Sequence, residues 1–228
     1  VANAENAASG YGLTKKIAIE LFELGINVIT LGNHAWDQRE MLSYIEEKPQ
    51  IVRAINYPKG VPGKGIYKLE LQNGKSIIVV QVMLRLFMGL SLDDPFFIIE
   101  NLLKSEILGS TCNSILVDMH GEATSEKYAL GHFLDGRVTA VLGTHTHVPT
   151  ADATILDNGT AYQSDVGMSG DYNSVIGMDK EGPIHSFVKG YRADGRFSVA
   201  NGAGITCGSF IESDDITGLA KKIEIIRL

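Results

Sequence analysis

Three segments of this sequence hold the side chains with the most chemical potential: Gly32-Asn33-His34, Asp118-Met119-His120 and Thr144-His145-Thr146-His147. Each follows a short run of β-branched and aliphatic residues, which places it where a strand ends and a loop begins. Open α/β sheets bind ligands outside the carboxyl ends of their strands, so side chains distant in sequence can converge there on one metal centre. Five of the six histidines precede residue 150, and four of them belong to these segments. That clustering points to metal-assisted phosphoester hydrolysis.

His145 and His147 are two apart. In an extended segment they point to opposite sides, but at a strand end the chain can turn and present both to a metal pair. Imidazole suits zinc, iron, manganese or copper; the plainer alternative is a polar loop with two incidental histidines. His120 arrives by the same route, after Ile115-Leu116-Val117. Glu5 and Asn6 are the next candidates, because a carboxylate can bridge two cations and an amide oxygen adds a neutral ligand. Taken alone, Glu5-Asn6 is also an ordinary turn or capping pair, and Asn33 has the same ambiguity. His34, directly after Asn33, faces away from its neighbour and can reach a substrate, where an imidazolium could protonate a departing alkoxide. His132 in a helix-like segment and His185 in the tail are read as structural, Trp36 as packing and Asp37 as a helix cap.

The elements that must position these residues follow from periodicity. Thr14 to Leu24 carries an apolar stripe, with Thr14 to cap the helix and Gly25 to end it. Asn27 to Leu31 reads as a buried strand, and Asp37 to about Glu47 as a helix stopped by Pro49. Tyr67 to Leu71 and Ser76 to Val82 read as a hairpin around Asn73-Gly74, a pair that suits a type I′ turn. Met83 to Pro95 is a long connection able to cover a site. A helix from Pro95 to about Leu108, a strand at Ser114 to Met119, a helix near Ser125 to Leu134 and a strand at Val138 to Leu142 follow. Beyond residue 150 the pattern is β-rich, with Asp157-Asn158-Gly159 as a second hairpin signal and an alternating strand at Lys222 to Leu228. Strand–helix alternation followed by a β-rich part predicts an α/β fold of two packed sheets with helices outside.

At 228 residues the chain is expected to form one domain, and its net charge of −7 disfavours a duplex-DNA binder. A nucleotide-sized substrate stays compatible, since a metal centre supplies positive charge locally. The two cysteines, Cys112 and Cys207, make neither a metal pair nor a disulfide framework, which favours a reduced, cytoplasmic setting. The most apolar stretch, Ile77 to Leu92, is interrupted by Gln81, Arg85 and Gly89, so no membrane span is expected. Val1-Ala2-Asn3 reads as the end of a strand, and sequence upstream of it is expected.

The chain resembles the YmdB-like metallophosphoesterases, bacterial 2′,3′-cyclic-nucleotide 2′-phosphodiesterases. The resemblance rests on Glu5-Asn6-Ala7-Ala8, Thr30 to Asp37, Leu92-Asp93-Asp94-Pro95-Phe96, His120 to Lys127, Gly143 to Val148 and Asp165-Val166-Gly167-Met168. It implies a single calcineurin-like metallophosphoesterase domain over residues 1–228, N-terminally incomplete, built as a four-layer α/β/β/α sandwich with mixed sheets. It also implies two metal ions, iron or manganese, with zinc left open by the ligand types. Glu5 would bridge them, Asn6 and His147 would serve the first, and Asn33, His120 and His145 the second, with His34 as proton donor. Two departures stand out. The family's first strand, which ends in a metal-binding Asp, is not part of this sequence, so weak activity and partial metal occupancy are expected. Leu84 stands where a Gly is expected before Arg85, and would obstruct a positive φ or a close backbone approach.

The expected reaction is therefore the opening of a 2′,3′-cyclic nucleotide to the 3′-nucleotide at a dinuclear centre. The alternatives are a broader phosphodiesterase or phosphatase, and a nucleotide- or RNA-linked regulatory protein with little turnover. The expected partner is a small phosphodiester, with no membrane, and homo-oligomerisation left open.

Overall fold

The computed structural model describes residues 1–192 and 195–228. In chain order the elements are β1 (Ala2–Asn3), α1 (Lys15–Glu23), β2 (Ile29–Thr30), α2 (Met41–Glu47), β3 (Ile51–Val52), β4 (Ile66–Glu70), β5 (Ser76–Met83), α3 (Pro95–Leu102) and β6 (Ser114–His120). Then come α4 (Thr124–Leu134), β7 (Ala140–Thr144), β8 (Thr154–Ile155), β9 (Ala161–Gln163), β10 (Gly170–Asp171), α5 (Glu181–Lys189), β11 (Gly204–Ile205), β12 (Cys207–Ser213) and β13 (Ala220–Arg227). Among the described residues no helix is long and apolar enough to cross a membrane.

Two sheets carry the architecture. β1, β2 and β3 form a small parallel sheet in that order. The larger sheet runs β4-β5-β6-β7-β9-β8, parallel from β5 to β9 with an antiparallel strand on each edge. Helices α1 and α2 cover the small sheet: Ala18, Met41, Tyr44 and Ile45 pack on Ile29, Leu31 and Ile51. Helices α3 and α4 cover one face of the large sheet, where Ile99, Leu130 and Leu134 meet Ile78, Val80, Val117 and Val141. Val28, Val52 and Val79 join the two sheets, and the β12–β13 hairpin packs Ile211, Ile223 and Ala220 against Ala140 and Ala161. The result is the mixed α/β/β/α sandwich expected from the sequence.

Strand alternation separates structure from chemistry. On β6, Ile115, Val117 and Met119 belong to the core under α3 and α4. The two-residue period therefore sends Leu116, Asp118 and His120 to the opposite face, where Leu116 packs against the β12–β13 hairpin and Asp118 and His120 turn toward the small sheet. Gln81 on β5 shares that face and donates across the gap to the carbonyl of Leu31 and, within its own sheet, to Asp118.

Several local expectations change. Asp37 does not begin a helix: α2 starts at Met41, and the Asp37 carboxylate turns to His34 instead. Helix α3 ends at Leu102 rather than near residue 108, the chain then being tied into a turn by Thr111. At the first hairpin Gly74 alone takes a positive φ, with its N–H bonded to Leu71 O. This is a type I turn followed by a left-handed glycine, not the type I′ turn, which needs positive φ at both central residues. The β-rich tail contains helix α5, which holds His185. Gly182 and Pro183 obscure it in sequence, though proline is tolerated in a first helical turn. Cys112 and Cys207 are free thiols.

Leu84 does not occupy a left-handed position; it is fully buried in the core under α3 and α4. A Cβ on Gly121 would lie 2.6 Å from the Leu84 Cβ, so the two positions share one small volume. Gly121→Ala should cost about 1–3 kcal/mol through overpacking, and Leu84→Gly about 3–5 kcal/mol through a cavity. Combined, they should cost less than their sum, because each relieves the other. Urea unfolding of the three variants checks this; fully additive losses would show that the two positions do not compete.

Candidate metal centre

The histidine-bearing segments meet where the two sheets face each other. β1 leads into Glu5, β2 into Asn33 and His34, β6 ends on His120, and β7 leads into His145. β1 and β2 are parallel in one sheet, and β6 and β7 in the other. Gly32 allows the approach: a Cβ there would fall 2.4 Å from the Glu5 carboxylate and 2.5 Å from the His120 ring.

The centre of the cluster is Nε2 of His120, a residue with no exposed surface. It lies 2.9 Å from Asn33 Oδ1, 3.2 Å from Glu5 Oε2 and 3.2 Å from His145 Nδ1. Ligand atoms held at about 2.0–2.2 Å from one tetrahedral cation stand about 3.3–3.6 Å from each other, so a cation would have to widen slightly the 2.9–3.2 Å spacings around His120 Nε2. Glu5 and His145 each touch His120 without pairing with each other, and among the described residues no three His, Cys, Asp or Glu side chains make a metal group by themselves. Asn33 Oδ1 adds an amide oxygen to the nitrogen and oxygen atoms gathered around His120 Nε2.

The tautomers are fixed from outside. The Asp118 carboxylate accepts the Thr144 hydroxyl at 2.6 Å through Oδ1, and the amides of Asn3 and Gln81 through Oδ2 at 3.1 and 3.0 Å. With its only proton committed to Asp118, Thr144 Oγ1 can only accept from His120 Nδ1, 2.9 Å away. In the neutral ring the proton therefore sits on Nδ1, and Nε2 is the nitrogen turned to the cluster. Glu122 lies 3.3 Å from His145 Nε2 and likewise leaves Nδ1 of that ring free. Such outer partners are the usual means of orienting a histidine ligand.

Electrostatics favour one positive charge at this point. Burial alone raises the Glu5 carboxyl, but the charge and hydrogen bond of His120, with the His34 N–H, hold it down at about 2. Burial opposes charging of His120, yet Glu5 and Asp118 raise it overall. Burial first, and then repulsion from His120, push His145 down to about 4. A proton on His120 Nε2 meets the demand for charge, and so would a cation that displaces it.

The other candidates lie around this cluster rather than in it. His34 donates its backbone N–H to Glu5 Oε1 at 2.8 Å, while its ring holds Asp37 Oδ2 at 3.0 Å and sets an edge against Tyr11. About a third of its side chain is exposed, which leaves it open to a ligand. Asn6 uses its amide N–H on Gly10 O, 2.8 Å away, with no contact to His120. His147 is half-buried and donates Nδ1–H to Ile176 O at 2.8 Å, leaving Nε2 free. His132 lies in α4 beside Tyr128, and His185 lies in α5 against Tyr191. Sequence reasoning missed Asp118, Thr144, Glu122 and Asp37. Asp118 was within reach, since an Asp-x-His on a strand puts both side chains on one face.

Comparison with known proteins gives a consistent picture. The family described as YmdB-like protein matches residues 1–226. The 2′,3′-cyclic-nucleotide 2′-phosphodiesterase of Bacillus subtilis (strain 168) is 46% identical over 99% of this chain and 83% of its own length. A crystal structure of a hypothetical protein from Thermus thermophilus superposes with a TM-score of 0.91 at 45% identity, covering 99% of this chain and 85% of that one. A Mycoplasma pneumoniae protein, described as a novel phosphatase, superposes with a TM-score of 0.89 at 36% identity, over 99% and 80%.

In metal-free protein the His145 ring should titrate near pH 4 instead of its ordinary value of 6.5. A lowered histidine pKa means that the fold prefers the neutral ring. The associated stability is present above the ordinary value and is lost as pH falls toward about 4. Nitrogen-15 NMR of the imidazoles reads the midpoint directly; titration at the ordinary value would show that burial and His120 do not act on this ring.

Proposed function

The chain belongs to the YmdB-like protein family and is a hydrolase of the metallophosphoesterase kind, and from that premise we propose that it opens 2′,3′-cyclic nucleotides to 3′-nucleotides. We read residues 1–228 as one metallophosphoesterase domain. Glu5, Asn33, His120 and His145 would hold one cation, with Glu5 shared by a second that Asn6 and His147 serve. The observation that carries this reading is the convergence of Asn33, Glu5 and His145 on the buried Nε2 of His120, with the other nitrogen of both rings engaged from outside. The donors are nitrogen and oxygen only, which suits iron, manganese or zinc. When bound, the cations supply Lewis-acid polarisation of the phosphoryl oxygens and a nucleophile at neutral pH.

The chain's own residues account for the leaving group. Asp37 Oδ2 lies 3.0 Å from His34 Nδ1 and fixes the ring, leaving Nε2 for the substrate. In a 2′,3′-cyclic phosphodiester the 2′-oxygen leaves as an alkoxide, a poor leaving group that needs a proton as its bond to phosphorus breaks. His34 would supply it, and the bond from its backbone N–H to Glu5 sets where it stands relative to the cluster.

In the whole protein His34→Ala should lower kcat for a 2′,3′-cyclic nucleotide by about 10²–10⁴-fold, with bound metal unchanged by elemental analysis. With bis-p-nitrophenyl phosphate, whose leaving group needs no proton, the loss should be much smaller. Equal losses on both substrates would rule out a proton-donor role, and no turnover of the cyclic nucleotide by the unaltered protein would rule out the substrate.

A further inference from the structure

Two segments remain without a role in this chemistry: the start of α4 up to Lys127, and Asp165-Val166-Gly167-Met168 after β9. They meet in the interior. Lys127 and Asp165 are fully buried, with Nζ 3.1 Å from Oδ2. Lys127 Nζ also donates to the carbonyl of Thr144 at 2.9 Å, and Asp165 Oδ2 accepts the backbone N–H of Thr146 at 2.9 Å. The cation thus grips the residue before His145, and the carboxylate grips the residue between His145 and His147. Asp165 Oδ1 accepts Gly167 N–H at 2.9 Å, and its backbone exchanges bonds with Thr150, which closes the far side of the loop.

What this pair holds is an unusual backbone. His145 has φ +108° and His147 φ +65°, conformations that residues with a Cβ rarely adopt. A buried ion pair is a poor source of stability, since apolar residues of similar volume often serve the fold as well. Apolar residues, however, could neither donate to Thr144 O nor accept from Thr146 N–H. We propose that Lys127 and Asp165 are positioning residues that set the left-handed turn of Thr144–His147 and so aim Nδ1 of His145 and Nε2 of His147. The metal-related consequence rests on the reading of both histidines as ligands; the geometric claim does not.

The test uses Lys127→Met combined with Asp165→Leu, which removes both charges together, avoids leaving one buried alone and leaves no side-chain acceptor for the Thr146 N–H. In metal-free protein the imidazole nitrogen resonances of His145 and His147 should shift or broaden, while those of His132 and His185 stay in place. Manganese(II) affinity by calorimetry should fall by about 10–100-fold, as for other outer partners of metal ligands. Unchanged resonances for both histidines would overturn the proposal, and so would parental manganese affinity in a protein that binds manganese. If the unaltered protein binds no manganese, the functional reading fails while the resonance comparison still decides this one. If the double variant does not fold, hydrogen exchange in the unaltered protein decides instead. The Thr146 amide should exchange as slowly as those of β7, and exchange at the rate of an open loop would overturn the tether.

Discussion

Burying an imidazole against a buried carboxylate is unfavourable unless every polar atom around the pair finds a partner. His120 and Glu5 find partners for their own polar atoms among groups drawn from both sheets. Asp118 and Thr144 come from the same sheet as His120, and Asn33 and the His34 N–H come from the other. The seam between the sheets is therefore apolar along part of its length, at Val28, Val52 and Val79, and polar where the strands end. The cluster ties the two sheets together at the same place where it gathers donor atoms.

The parallel strands make this affordable in conformational terms. Their common direction brings all the carboxyl ends to one side, so loops far apart in sequence start from neighbouring points. Register then does the fine adjustment. His120 and Thr144 are paired residues of β6 and β7, and this cross-strand pairing puts the hydroxyl beside the ring. A slip of one residue would turn Thr144 to the other face and leave Nδ1 without its acceptor.

Much of this was legible in the sequence. The Thr14 cap with Gly25 at the other end, the Pro95 start of α3 and the apolar runs before each histidine all rest on local rules, and the structure follows them. What escaped detection depends on contacts that local rules do not describe. Asp37 has the composition of a helix cap but serves His34, because the turn at residues 32–37 folds the chain back before α2 begins. Helix α5 hides behind a glycine and a proline. Leu84 looked like an obstruction in a glycine position, and its meaning came only from finding Gly121 under it. His145 and His147 were legible as a pair, but the left-handed backbone that separates their directions was not.

The Glu5 carboxylate has two oxygens with two employments: one faces the His120 ring, the other receives the backbone N–H of His34. A shift of that carboxylate to accommodate a change on the His120 side must also move the turn that carries His34. Whatever fills the centre therefore also sets the reach of the neighbouring imidazole. The histidine cluster and the turn that carries His34 are thereby linked through a single side chain.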